Sequence, residues 1–137
     1  MNKPFYSVII PVYNAAETIE DCLESVLEQS FTDYEIIVVN DGSHDQSKKI
    51  IEQVLGDSGR TYQFIHQENK GLGASRNKAI SEAQGRYCAL LDADDLWHPK
   101  KLESCYQYLS KDPDCDVLYH AVDNFGLKAD KPRLVYP

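Results

Sequence analysis

The chain has no apolar run approaching the roughly 20 residues that span a bilayer. At the N-terminus, "MNKPFYSVIIPVYN" carries one Lys, and its apolar run is broken at Pro11. That is too short for a secretory signal, so a membrane role is limited to peripheral association. No CxxC pair occurs: Cys22, Cys88, Cys105 and Cys115 are scattered. This excludes a structural zinc site and suits reduced thiols in a cytoplasmic protein, one that could work at the inner face of the membrane. Basic residues number 14 against 22 acidic ones, a net charge of −8. Without a basic cluster to neutralise phosphates, no nucleic-acid partner is expected. Lys48-Lys49 and Lys100-Lys101 fall within expected helices as solvated faces.

The common phosphate loops are also missing. The glycines of "NKGLGASRN" fall at 71 and 73, which matches neither GxGxxG nor GxxxxGK[ST], and no glycine loop follows the first strand. A dinucleotide or flavin fold therefore lacks its phosphate-binding parts. No GxSxG nucleophile elbow occurs, and His44, His66, His98 and His120 show no ligand spacing.

What the chain does have is alternation. Its 137 residues, 42% apolar and 26% charged, suit one globular core. "YSVIIPVYN" and "YEIIVVND" are β-branched runs of the kind buried on both faces of a sheet. "TYQFIH", "RYCALLD" and "CDVLYH" read as third, fourth and fifth strands. Helical stripes lie between them: Ile19, Cys22, Leu23, Val26 and Leu27; Ile50, Ile51, Val54 and Leu55; then a helix through "GLGASRNKAISEAQG" closed by Gly85. Pro99 suits the first turn of a last helix with the stripe Leu102, Cys105, Tyr106 and Leu109. Strand–helix alternation predicts an α/β fold, a mostly parallel central sheet flanked by helices. Ligands in such sheets bind beyond the carboxyl ends of the strands. That rule selects Tyr13-Asn14, Asn40 to Asp45, His66 to Gly73, and Asp92 to Asp95.

Each segment has a plain reading beside a functional one. "NDGS" is a common turn, yet Asp41 could accept hydrogen bonds from a base or ribose while Ser43 and a helix N-terminus face an anion. Arg76 is either an exposed surface residue or a partner for a diphosphate. In "LLDADDLW", strand alternation points Asp92 and Asp94 the same way with Ala93 opposite. Two carboxylates so placed make a site for Mg2+ or Mn2+ if a substrate phosphate completes the shell. The plain reading is a solvated acidic turn, with Asp95 capping local backbone.

Three segments, "SVIIPVYNAAETIEDCLESVLEQSF", "EIIVVNDGSHDQS" and "NKGLGASRNKAISEAQGRYCALLDADD", together resemble the nucleotide-sugar-binding half of family-2 inverting glycosyltransferases with the Rossmann-like GT-A fold. The resemblance runs from about Tyr6 to about His120. It implies a donor-binding part over residues 1–120 and the start of an acceptor-side region over 121–137. Pro11, Tyr13 and Glu17 would line the nucleotide pocket. Asp41 would hold uracil or another base with Ser43 nearby, and Arg76 would lie in the segment closing over the nucleotide. Asp92 and Asp94 match the Asp-x-Asp motif, Asp92 toward the ribose and Asp94 toward the metal, Mn2+ or Mg2+. The implied reaction passes a sugar, from UDP-sugar by preference, to a saccharide or lipid-linked acceptor. Inversion also requires a general base, which in this family lies well beyond Asp-x-Asp. Only 43 residues follow Asp94, and Asp116, Asp123 and Asp130 match no base motif. The base is expected beyond the chain end. The alternative is a non-catalytic module that binds a nucleotide sugar.

Overall fold

The computed structural model describes residues 2–120, 122–123 and 134–135. The chain divides into two compact units, residues 1–103 and 104–137.

In the first unit, β1 (Tyr6–Val12), β2 (Tyr34–Asp41), β3 (Tyr62–Gln67) and β4 (Tyr87–Leu90) form one parallel sheet in the order β3-β2-β1-β4. The two central strands are buried at every position, as their continuous β-branched runs require. Successive side chains point to opposite faces. On one face Ile9, Ile37 and Val39 pack with Ala79 of α3 (Leu72–Glu82), joined by Ile65 and Ala83. On the other, Val8, Ile10 and Val12 are equally buried. There α1 (Ile19–Leu27) turns inward its stripe of Ile19, Cys22, Leu23 and Val26 and packs beside α2 (Ser47–Asp57). Each fully buried Val, Leu or Ile stabilises the fold by about 1.5–3 kcal/mol relative to exposure.

The two ends of the sheet differ. At the amino end, Phe5, Tyr6, Phe31 and Tyr87 form an aromatic cluster with centroids 4.7–5.9 Å apart. A buried network accompanies it: Ser7 Oγ donates to Glu35 Oε1 at 2.6 Å, and the amides of Gln84 and Gly85 donate to Glu35 Oε1 and Ser7 Oγ. The carboxyl end carries the polar loops.

Four sequence expectations are corrected. Gly85 does not close α3, which ends at Glu82 with Ala83 already extended. A Cβ on Gly85 would lie 2.5 Å from Ser7 N, so this glycine is required by close backbone approach. In α4 (Lys101–Lys111), Tyr106 is exposed rather than part of a buried stripe, and Pro99 sits in the turn before the helix, where Lys101 N donates to His98 O. "CDVLYH" is not a fifth strand. Residues 115–120 pair with no strand among the described residues, and Val117 and Tyr119 are exposed. A strand needs a ladder partner, and alternation of apolar residues does not supply one. The second unit instead has a short antiparallel pair, β5 (Val122–Asp123) with β6 (Leu134–Val135).

Candidate functional site

From β1 the chain builds outward through β2 and β3, then returns to the opposite side of β1 for β4. The strand order therefore reverses at β1/β4, the point where open α/β sheets leave a crevice. A cleft of about 730 Å³ opens there. It is lined by Pro11, residues 13–18, Asp45, Leu72, Asp92, Ala93 and Asp94.

Its first wall is the β1–α1 loop. Tyr13 is half exposed, and Asn14 adopts φ 46, a left-handed conformation that Asn tolerates. The amides of Asn14, Ala15 and Ala16 donate in turn to Ser43 Oγ (3.0 Å), Ser47 Oγ (2.9 Å) and Asp45 Oδ2 (3.0 Å). His44 N returns a bond to Asn14 Oδ1 at 2.8 Å. Asp45 Oδ1 accepts Ser47 N at 2.9 Å, which caps the start of α2. Burial raises the Asp45 carboxyl, but hydrogen bonds from Ser47 and Ala16 outweigh it and hold the pKa below the ordinary value.

The second anchor is Asp41, which is buried at the end of β2. Its Oδ1 accepts Gln67 Nε2 (2.7 Å) and Lys70 N (2.8 Å), and its Oδ2 accepts Gly71 N (2.9 Å). Burial again raises this carboxyl, and the bonds from Gln67, Lys70, Gly71 and Ser75 more than reverse the effect. Gly42, directly after it, has φ +75, and a Cβ there would sit 3.0 Å from Asn69 N. Only glycine lets the two loops meet this closely.

The third wall is acidic. β4 stops at Leu90, and Asp95 N donates to Asp92 O at 3.0 Å, so Asp92 to Asp95 form a turn. The strand-alternation argument for Asp92 and Asp94 therefore does not hold: Leu91 N still bonds to Ile9 O, but the chain turns at Ala93-Asp94. Both residues line the cleft nonetheless, and so does Ala93. Arg76, from the second turn of α3, places Nη2 2.5 Å from Asp92 Oδ1, while its buried Nε has no hydrogen-bond partner. Burial, then the charges of Asp94 and Asp92, push the Asp95 carboxyl up. Burial likewise raises the Cys22 thiol to about 12, with further contributions from Asp95, Asp94 and Asp92.

This excess negative charge suits a divalent cation. Among the described residues no group of three or more His, Cys, Asp or Glu could hold a metal ion alone. With Arg76 on Asp92, the exposed Asp94 is the better placed ligand, and a diphosphate would have to supply further oxygens. The residues fit an ion shared with a substrate phosphate.

The sequence matches the family described as glycosyl transferase family 2 over residues 7–134. The chain belongs to that family. It is 44% identical over 107 residues to the glycosyltransferase TuaG of Bacillus subtilis, covering 78% of this chain and 42% of TuaG. S. aureus TarS (1–349) in complex with UDP-GlcNAc superposes with a TM-score of 0.72 at 30% identity, over 77% of this chain and 31% of TarS. The mannosyltransferase PcManGT of Pyrobaculum calidifontis, in complex with GDP-Man and Mn2+, gives a TM-score of 0.73 at 26% identity, over 80% of this chain and 33% of that one. The chain thus spans less than half the length of these relatives. The GT-A fold follows from the same likeness.

In this family-2 chain the cleft brings together Pro11, Tyr13, Glu17, Asp92 and Asp94, with Arg76 bonded to Asp92. Asp41 and Ser43 do not line it: each holds a loop that shapes it. Asp45 and Leu72 line it and were not singled out as site residues by sequence. Both fall in segments that the strand-end rule selected, Asn40 to Asp45 and His66 to Gly73, but neither was given a role of its own. Of the acids after Asp94, Asp116 lies in the exposed segment 115–120, and Asp130 lies outside the described residues, as does most of 121–137.

Proposed function

We propose that this chain is the donor-binding part of an inverting, metal-dependent glycosyltransferase that takes a nucleoside diphosphate sugar, with uridine as the nucleoside. The observation that carries the reading is the cleft at the β1/β4 switch point, with Tyr13 and Glu17 on one wall and the Asp92–Asp94 turn, backed by Arg76, on the other. Residues 1–120 form the donor part in this reading, and 121–137 begin the acceptor side.

Tyr13 offers an exposed ring and Pro11 an apolar surface for the nucleotide, and Glu17 offers a polar edge. Asp41 acts on the base from the end of β2 through the loop it fastens at Lys70 and Gly71, and Ser43 supports the facing loop. Asp92 is turned by Arg76 toward the ribose, while Asp94 would hold Mn2+ or Mg2+. The cation, when bound, supplies Lewis-acid stabilisation of the negative charge on the departing diphosphate. Arg76, bonded to Asp92 beside the cleft, is the cation of this chain assigned to share that charge. The general base that deprotonates the acceptor hydroxyl, saccharide or lipid-linked, is assigned to none of these residues. Among the described residues no helix is long and apolar enough to cross a membrane; we place the protein in the cytoplasm, at the inner membrane face when its acceptor is lipid-linked.

Calorimetry with UDP and Mn2+ tests this. The chain should bind UDP more tightly with metal than without, and Asp94→Ala should abolish the difference. Binding indifferent to both metal and Asp94 would overturn the reading.

A further inference from the structure

Three successive amides, of Asn14, Ala15 and Ala16, are directed at a single segment, residues 43–47. Consecutive N–H groups of this kind form a concave donor set that commonly takes an anion. Here the anion is the chain's own Asp45 carboxylate, flanked by the hydroxyls of Ser43 and Ser47. The loop's amides are therefore already bonded within the protein, which in the reading above leaves the diphosphate's charge to Arg76 and to a cation held at the acidic turn. Asp45 is also the one of these three acceptors that lines the cleft, and its second oxygen ties the same carboxylate to the start of α2.

We propose that Asp45 is a positioning residue for nucleotide binding: by bridging Ala16 N and Ser47 N it holds the Tyr13–Glu17 wall in the shape that receives the nucleotide. The inference rests on the nucleotide-binding reading above, and it assigns Asp45 no contact with the reacting atoms. Its effect passes through Tyr13, three residues before Ala16 on the same loop. Without the carboxylate, the Ala16 amide returns to water, and Tyr13 samples orientations that must be narrowed again when the nucleotide binds.

A double-mutant cycle on the 137-residue chain decides it, read as UDP affinity in Mn2+. Asp45→Ala should weaken UDP binding on the order of three- to tenfold, as expected for losing a hydrogen-bonded carboxylate at an exposed site. Asp45→Asn keeps one carbonyl acceptor and should lose less. If Asp45 acts by placing Tyr13, Asp45→Ala should cost little further affinity in a Tyr13→Ala background. Fully additive losses would overturn the proposal. A second measurement needs no nucleotide: amide exchange at Ala15 and Ala16 should accelerate in Asp45→Ala while the amides of β1 keep their protection. Unchanged exchange at those two amides would also overturn it. Failure of the wild-type chain to bind UDP would instead sink the nucleotide reading, and amide exchange would still judge Asp45.

Discussion

Arg76 of α3 and Asp92 of the turn after β4 meet at 2.5 Å, and this pair joins the glycine-led helix to the acidic turn on one wall of the cleft. The two side chains are 33% and 44% exposed, so solvent screens the pair. Its contribution to folding is then small, about 0–1 kcal/mol. Its larger effect is local: it neutralises one of three clustered carboxylates and orients Asp92.

Arg76→Ala should therefore separate stability from binding. The melting temperature should move little, while affinity for UDP with Mn2+ falls on the order of tenfold, because an ionised donor to the diphosphate and to Asp92 is lost. Arg76→Lys keeps the charge but not the forked geometry and should fall between the two. A large drop in melting temperature with affinity retained would show that Arg76 serves the fold rather than the site.

Asp41 predicts a pH dependence of known sign. Its hydrogen bonds hold the folded carboxyl below its ordinary value despite burial. Such a group contributes stability that is present above the unfolded pKa, near 4, and is lost as pH falls through the lower folded value. Asp41→Asn should thus cost about 2 kcal/mol at neutral pH and less in acid. Denaturant unfolding between neutral pH and pH 3 measures this, and a constant difference between the two proteins would contradict it.

How far the sequence could be read depended on whether a residue's role is local. β1 and β2 were legible because unbroken β-branched runs have few homes other than the middle of a parallel sheet. Tyr13, Asp92 and Asp94 were legible because they follow strands, and strand ends meet at the switch point; Glu17 was reached only through the family resemblance. The alternation assumed for Asp92 and Asp94 failed because β4 is a short edge strand. Its last ladder position pairs Leu90 with Ile9, after which the chain turns. Asp45 fell in a selected segment, but its role was missed for the opposite reason. Its partner Ala16 is 29 residues away in another loop, and no periodicity encodes a loop–loop bond. Gly85 looked like a helix stop, and only the approach of Ser7 shows what it does.

Cys22 should be chemically silent in the native state. Its thiol is buried under α1, lies 3.5 Å from Asp92 O, and is pushed up to about 12, chiefly by burial. The thiolate is the reactive form, so at pH 8 it should label only as fast as the protein unfolds. Cys88, which is exposed, should label from the native state, though slowly, because burial around its sulfur and then Glu35 raise its pKa too. Mapping labelled cysteines with and without denaturant checks both, and native labelling of Cys22 ahead of Cys88 would contradict this packing.

Gly85→Ala is the smallest substitution expected to damage the fold far from the cleft. The added Cβ would lie 2.5 Å from Ser7 N and 2.6 Å from Tyr6 C, both backbone atoms of the central strand. Neither atom can rotate away, so either β1 or the 83–86 turn must shift. That shift would strain the bonds that Gln84 N and Gly85 N make to Glu35 and Ser7. Overpacking of this kind costs about 1–3 kcal/mol. Gly73→Ala, where a Cβ meets nothing within 4 Å, is the matched control and should leave stability near wild type. Equal denaturation midpoints for the two variants would show that the strand and the turn are not held as closely as this contact requires.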